Sequence, residues 1–334
     1  MNLEAGRIFV LGAGFSAGAG IPLTNVLLPE AARIFADEAE GLFQRVCYYA
    51  DQIDVQLVGS PNAEDFTRLC THLEFLELRE YAGPKRWSND GSREKLALKF
   101  FLSKAIALHT PEPCDVPDYY MKFAKSLTPD DVVVTFNWDL LLEKVIIKSG
   151  GQFSYSFEVG KIHIIKLHGS INWINNEPRA MRGIRSDFDY QPLGLNGGLV
   201  KNEIFCSNLL SQVDQWHQAQ ALIGQVKPLI VLPGYGKGFD IRQLSALWYR
   251  LEFLAERTGG VSIIGLNVSH DDFIVESLFR YLFRGVFSDD EKISVLNPEP
   301  MVEQRFRDFS RGAEIEFFCE KFSQDTLEIS LLQK

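Results

Sequence analysis

The sequence predicts an α/β protein built on a doubly wound, mostly parallel sheet, with a helical insertion after the first strand. Three observations predict it. Short unbroken apolar runs recur along the chain, the form taken by strands buried on both faces. Helical patterns separate several of these runs, which gives crossover connections and hence parallel pairing. The first run ends in a cluster of glycines that opens a helix.

Arg7 to Leu11 (RIFVL) reads as the first strand; Gly12, Gly14, Gly18 and Gly20 follow it, and a helical apolar period starts at Asn25 and runs to Ala39. From about residue 26 to 127 the pattern is almost wholly helical, in the stretches NVLLPEAARIFADEAEGLF, AEDFTRLCTHLEFLEL, SREKLALKFFLSKAIAL and PDYYMKFAKSL. Lys85 to Ser92 is a polar loop within it. An insertion of about a hundred residues therefore replaces the short helix of a plain βαβ unit. Strand signals resume at Asp131–Phe136, Ile162–Leu167, Pro228–Leu232, Val261–Gly265, Ile293–Leu296 and Glu314–Phe318. Helical patterns lie between several of them, at Leu140–Lys148, Ile241–Ala255, Asp272–Phe283 and Val302–Phe309. Residues 175–226, polar and rich in Gly and Asn before a helical stretch, read as a second insertion. The whole, 1–334, reads as a single domain carrying the insertions 26–127 and 175–226.

Composition narrows the partners. The chain is 46% hydrophobic and 23% charged with a formal net charge of -10, and its isoelectric point is near 5.2. That balance argues against nonspecific binding to a nucleic-acid backbone, which needs clustered Lys and Arg. No run approaches the roughly 18 apolar residues of a membrane span, and the chain enters its first strand without a basic leader and cleavage site. The expectation is a cytoplasmic protein with no membrane and no direct nucleic-acid contact. Five cysteines, at 47, 70, 114, 206 and 319, form no CxxC pair. They read as small apolar groups, with neither a zinc ribbon nor structural disulfides.

Four segments carry candidate chemistry. Gly12-Ala13-Gly14-Phe15-Ser16-Ala17 has the spacing G-x-G-x-x-A between strand and helix, the context a dinucleotide-binding turn requires. Glycine there lets backbone N–H groups approach phosphate. A tight turn that only packs a helix on the sheet has the same glycines. The acidic strand end expected about 20 residues later in a dehydrogenase is absent, because that region reads as helical. Thr135-Phe136-Asn137-Trp138-Asp139 follows the second strand; its amide and carboxylate suit orienting a hydroxyl, a water or a carboxamide, and equally suit an Asx turn in which Asp139 caps the next helix. Leu167-His168-Gly169-Ser170-Ile171-Asn172-Trp173 places a histidine at another strand end, where it can serve as a general base. His163, inside the buried run, reads as core. Ile264-Gly265-Leu266-Asn267-Val268-Ser269, followed by Asp271 and Asp272, and Asn297 after the run Ile293–Leu296, offer short polar side chains for phosphate, ribose or helix capping. Glu64 and Asp65 read as first-turn helix acids.

Together GAGFSAGAGIP, TFNWD, KLHGSINW, PLIVLPGYGKGF, IIGLNVSHDD and VLNPEP, in this order, resemble the sirtuin-like family, including its NAD-hydrolysing members in bacterial antiphage defence. The matching pieces span Gly12 to about Pro300. The resemblance implies a Rossmann-like sheet that holds NAD as a substrate, with no metal. Gly12, Ala13, Gly14, Ser16 and the Ile21-Pro22 turn would then hold the phosphates and adjoining ribose. Asn137 would position the nicotinamide ribose or the attacking water, Asp139 would read the carboxamide, and His168 would be the catalytic base. Gly265, Asn267 and Asn297 would line the adenosine half.

Two departures separate this chain from the family's protein deacylases. Those carry a four-cysteine zinc module after the histidine, where this chain has only Cys206, and Phe136 and Trp138 replace the Gln and aliphatic residue that usually flank the Asn. The resemblance thus implies an NAD glycohydrolase, releasing nicotinamide and ADP-ribose as a defence effector, that forms homo-oligomers or works with a HerA-type ATPase or short Argonaute. A deacylase or ADP-ribosyltransferase, and a noncatalytic nucleotide-binding assembly module, are the rival readings.

Overall fold

The computed structural model describes residues 6–57, 62–80, 93–175, 190–193, 204–207, 228–235, 237, 244–255, 260–268, 272–283, 292–310 and 314–331. The central sheet comprises β1 (Ile8–Leu11), β2 (Val132–Thr135), β3 (Phe153–Ser154), β4 (Ile162–Lys166), β9 (Gly260–Ile264), β10 (Lys292–Leu296) and β11 (Ile315–Phe318). Its order is β11-β10-β9-β1-β2-β4-β3, and every pairing is parallel. The fold is therefore a doubly wound, Rossmann-like α/β sheet, as the apolar runs predict. The chain leaves β1 toward β2 and later returns to β1's other edge at β9, whose own connection leads away to β10. The crevice between the carboxyl ends of β1 and β9 is thus the topological switch point, where open α/β sheets hold ligands.

Alternation along β1 shows how the two faces are covered. Phe9 meets Phe123 of α6 (Asp118–Ser126) edge to face at 5.4 Å. Ile8 and Val10 point the other way, toward Leu251 of α8 (Ser245–Ala255) and Leu278 and Phe279 of α9 (Phe273–Tyr281). Further helices are α7 (Leu141–Lys148), α10 (Pro300–Ser310) and the short α11 (Leu327–Ser330). Arg7 ties three distant pieces together beneath the sheet. Its guanidinium makes a bidentate pair with Asp131 at 2.9 and 2.6 Å and donates to the carbonyls of Leu331 and Ser126 at 2.9 and 3.1 Å.

Between β1 and β2 run α1 (Ala13–Ala17), α2 (Thr24–Glu38), α3 (Glu40–Asp51), α4 (Ala63–Glu80), α5 (Arg93–His109) and α6. The helical period read from Asn25 to Ala39 ends where the chain breaks, at Ala39 (φ -148°, ψ 54°), so that Phe35 and Phe43 turn toward one another at 5.4 Å. The α2–α5 bundle has its own core, where Phe35 stacks on Phe101 at 4.3 Å. The polar loop read at Lys85–Ser92 lies outside the described residues.

One strand sits elsewhere than predicted. β8 (Pro228–Ile230) joins a second, antiparallel sheet of order β6-β7-β5-β8, with β5 (Gly169–Asn175), β6 (Tyr190–Pro192) and β7 (Ile204–Ser207). The run PLIVL is unbroken because both its faces are buried, which parallel pairing also produces. Leu229 and Val231 face the core of the large sheet, while Ile230 and Leu232 face the helical core. β7 alternates likewise, with Ile204 and Cys206 on one side and Phe205 on the other. The small sheet is a wall shared by two cores. Of 175–226, only these short strands of β6 and β7 and their neighbouring residues are described; the helical stretch read there lies outside the described residues. Among the described residues no helix is long and apolar enough to cross a membrane.

Candidate active site at the switch point

The glycine turn is fastened to the strand beside it. Gly12 N donates to Ile264 O at 3.0 Å, Gly14 N to Gly265 O at 2.8 Å, and Gly265 N to Leu296 O at 2.8 Å. A Cβ on Gly12 would lie 2.4 Å from Leu266 Cα, and one on Gly14 2.8 Å from Gly265 Cα. Gly265 has φ +62°, and a Cβ there would lie 2.4 Å from Phe15 N. These glycines are required first by the contact between two strand-end turns. The N–H of Gly14, expected to face phosphate, is already engaged by Gly265. Behind the turn, Phe15 is buried against Tyr120, Phe123 and Phe322.

A cleft of about 570 Å³ opens above this interlock, within the range of small-molecule sites. All of the sequence-predicted site residues line it except Gly12, which lies beneath: Ala13, Gly14, Ser16, Ile21, Pro22, Asn137, Asp139, His168, Gly265, Asn267 and Asn297. Leu23 and Thr24 bring the amino end of α2 to its edge, and Leu27 and Ile106 add a wall from the helical bundle.

Asn137 is held rigidly. Its Nδ2 donates to Gly12 O at 2.8 Å and to Ser16 Oγ at 3.0 Å, and its backbone N–H donates to Thr135 Oγ1 at 3.0 Å. With both amide hydrogens engaged, Oδ1 is the group it offers to a ligand. Asp139 is buried and its Oδ1 accepts from Leu141 N at 3.0 Å, so it caps α7 and lines the cleft at once. Burial raises its pKa, opposed chiefly by Lys166, the Leu141 N–H and the Ser16 hydroxyl. Lys166, itself buried, donates to Asp139 O at 2.6 Å and to Glu143 Oε1 at 2.9 Å; Tyr155 OH donates to the same Glu143 oxygen at 2.8 Å. This network supports the Asn137–Asp139 segment from below.

His168 packs edge to face against Phe136 at 5.0 Å. Its ring is 12% exposed, and its Nε2 has no hydrogen-bond partner among the described residues. Burial, then the nearby Lys237 cation, push its pKa down to about 3, against the pull of Asp272. The imidazole is therefore neutral near pH 7 and able to accept a proton. Gly169 follows at φ +76°, where a Cβ would meet Leu229 O at 2.0 Å. That close approach of β5 to β8 fixes where His168 stands. His163 is buried in β4, stacked on Phe157 at 5.0 Å.

At the adenosine-assigned end, Asn297 is fully built into the backbone. Its Nδ2 donates to Leu266 O at 3.0 Å and its Oδ1 accepts from Glu299 N at 2.9 Å. Asn267, at the rim, donates to Glu299 Oε2 and accepts from Arg305, both at 3.0 Å. Ser269 and Asp271 lie outside the described residues. Sequence reasoning gave no role to Lys237, Glu299, Lys321 or Phe322, which also line the cleft. A lysine among glycines just after an apolar run was the available signal for Lys237; the walls from α2 and α5 leave no local signature. Cys70 and Cys206 are buried as read, whereas Cys114 and Cys319 are exposed.

Comparison with known proteins adds little to this geometry. No protein-family model and no curated protein matches the chain. Among solved structures, Sir2Tm bound to a propionylated peptide aligns with a TM-score of 0.35 at 13% identity, covering 97% of this chain and 90% of that one. A sirtuin structure concerned with substrate affinity gives 0.32, and Sir2 with the inhibitor EX-527, 2'-O-acetyl-ADP-ribose and a deacetylated p53 peptide gives 0.31, at the same identity and coverage. At such scores the fold rests on the strand order described above.

Proposed function

We propose that the chain is an NAD glycohydrolase, releasing nicotinamide and ADP-ribose. The observation that carries this reading is the convergence of Asn137, Asp139 and His168 on one cleft at the switch point, beside the glycine turn. The residues suit the ligand. Ala13, Gly14, Ser16, Ile21 and Pro22 hold the phosphates and adjoining ribose, and the amino end of α2 adds partial positive charge there. Gly265, Asn267 and Asn297 shape the adenosine half. The Asp139 carboxylate accepts from the carboxamide of nicotinamide. Bond cleavage sends the glycosidic electron pair to nicotinamide and leaves an oxocarbenium-like C1'. Asn137 Oδ1 orients water against that carbon, and neutral His168 accepts the water's proton. Nicotinamide, ADP-ribose and one proton result.

Water is the acceptor in this reading because the segment after His168 supplies only Cys206. That thiol is buried in β7, one cysteine where the zinc module of the deacylases has four. The biological role we assign is that of an antiphage effector that depletes NAD, restrained by self-assembly or by a HerA-type ATPase or short Argonaute partner.

Product analysis after incubation with NAD tests the chemistry. Nicotinamide and ADP-ribose form together without added peptide, and Asn137→Ala and His168→Ala each slow release by about a hundredfold or more. Wild-type rates in both variants overturn the site. Release that requires an acylated peptide reassigns the protein as a deacylase.

A further inference from the structure

Two charged residues beside His168 have no part in the reaction as written. Lys237 is buried, and its ammonium forms an ion pair with Asp272 Oδ2. The Lys237 backbone is in the left-handed region at φ 30°, a conformation that a non-glycine residue adopts where the surroundings impose it. The segment that carries it is anchored from the helical bundle, where Tyr235 N donates to Thr71 Oγ1 at 3.0 Å. Asp272 is held from a second direction, since its Oδ1 caps α9 by accepting from Val275 N at 3.4 Å. Its Oδ2 stands 4.0 Å from His168 Nε2, the ring nitrogen without a partner. All three residues line the cleft.

We propose that Lys237 and Asp272 are a positioning pair for His168, in which Lys237 clamps the Asp272 carboxylate beside the imidazole to balance the charge it gains with a proton. The pair also sets the resting state. Burial and then Lys237 disfavour the imidazolium and Asp272 favours it, so His168 stays neutral until the attacking water gives up its proton. The other groups around the ring leave this balance to the pair. Phe136, after β2, is apolar, and Asp139 on the same segment is engaged by Ser16, Leu141 and Lys166.

The inference rests on His168 being the base of the proposed hydrolysis, yet its test reads the charge of the ring and not turnover. In histidine-labelled protein, His168 is assigned by its loss in His168→Ala and its ring is titrated by NMR from about pH 2 to 8, down through its pKa of about 3 and up past the ordinary histidine value. In Lys237→Met the repulsion is gone while Asp272 remains, so the midpoint rises by at least one unit. Lys237→Arg restores the wild-type midpoint, which excludes a general loss of folding. Asp272→Asn, which removes the attraction, does not raise it. A midpoint in Lys237→Met that stays at the wild-type value overturns the proposal. The expected midpoints in a protein whose wild type releases no nicotinamide from NAD would instead count against the hydrolase reading alone.

Discussion

At the scale of single residues, Gly265 carries two demands at once. It combines a positive φ with a backbone contact to Gly14 and Phe15. Gly265→Ala therefore meets two penalties, the strain of the left-handed region and a clash that displaces the glycine turn. Gly160 has a similar φ of +80° with nothing within 4 Å of its would-be Cβ. Gly160→Ala isolates the first penalty, about 1 kcal/mol in urea unfolding. Gly265→Ala loses more stability than that and weakens nucleotide binding at least tenfold by calorimetry. Much at this scale was legible. Asn137, Asp139 and His168 announce themselves as polar residues at the ends of apolar runs, and the sheet brings those ends together. Lys237 and Asp272 were not legible as a pair, because an ion pair between residues on separate loops leaves no local pattern. The interlock of Gly14 was not legible for the same reason: its tight neighbour, Gly265, is 251 positions later in the chain.

Among elements, the support beneath the site is a buried polar network linking β4, α7 and Tyr155, just past β3. Lys166 and Glu143 are each 1% exposed. Lys166→Met strands the Glu143 carboxylate and costs about 3–5 kcal/mol. Pairing it with Glu143→Gln recovers most of that loss, which a double-mutant cycle in urea measures. The single variant also removes the main countercharge of Asp139 and moves the carboxyl further above its ordinary range. Element identity was well signalled wherever packing agreed with local pattern, as along β1, β2, β4, β9, β10 and β11. It failed where packing overrode pattern. β5 alternates buried Ser170 and Asn172 with Ile171 and Trp173, and its polar side chains reach their places only through tertiary partners. PLIVL shows two buried faces and says nothing about which sheet buries them.

For the whole molecule, the cleft draws on both cores. Leu27 and Ile106 belong to the helical core and most of the remaining apolar lining to that of the large sheet. A nucleotide bound there ties the two together. In His168→Ala, where turnover is slow, NAD at a hundredfold excess over its dissociation constant adds about 2.7 kcal/mol of stability and raises the melting temperature by roughly 5 °C. Helical circular dichroism and tryptophan fluorescence shift together, because neither core unfolds without releasing the ligand. A rise confined to one probe would place NAD in contact with one core only.

The interlock of Gly12, Gly14 and Gly265 also dictates when the site comes into being. β1 is made first, yet its two sheet neighbours, β2 and β9, follow more than a hundred and more than two hundred residues later. On a ribosome, the glycine turn has nothing to fasten to until Gly265 has left the exit tunnel, and Asn297 and Phe322 close the cleft later still. Contacts this distant along the chain form late. A nascent chain thus carries its whole glycine signature without the cleft that the signature helps to build, until the strands and turns that complete it have emerged.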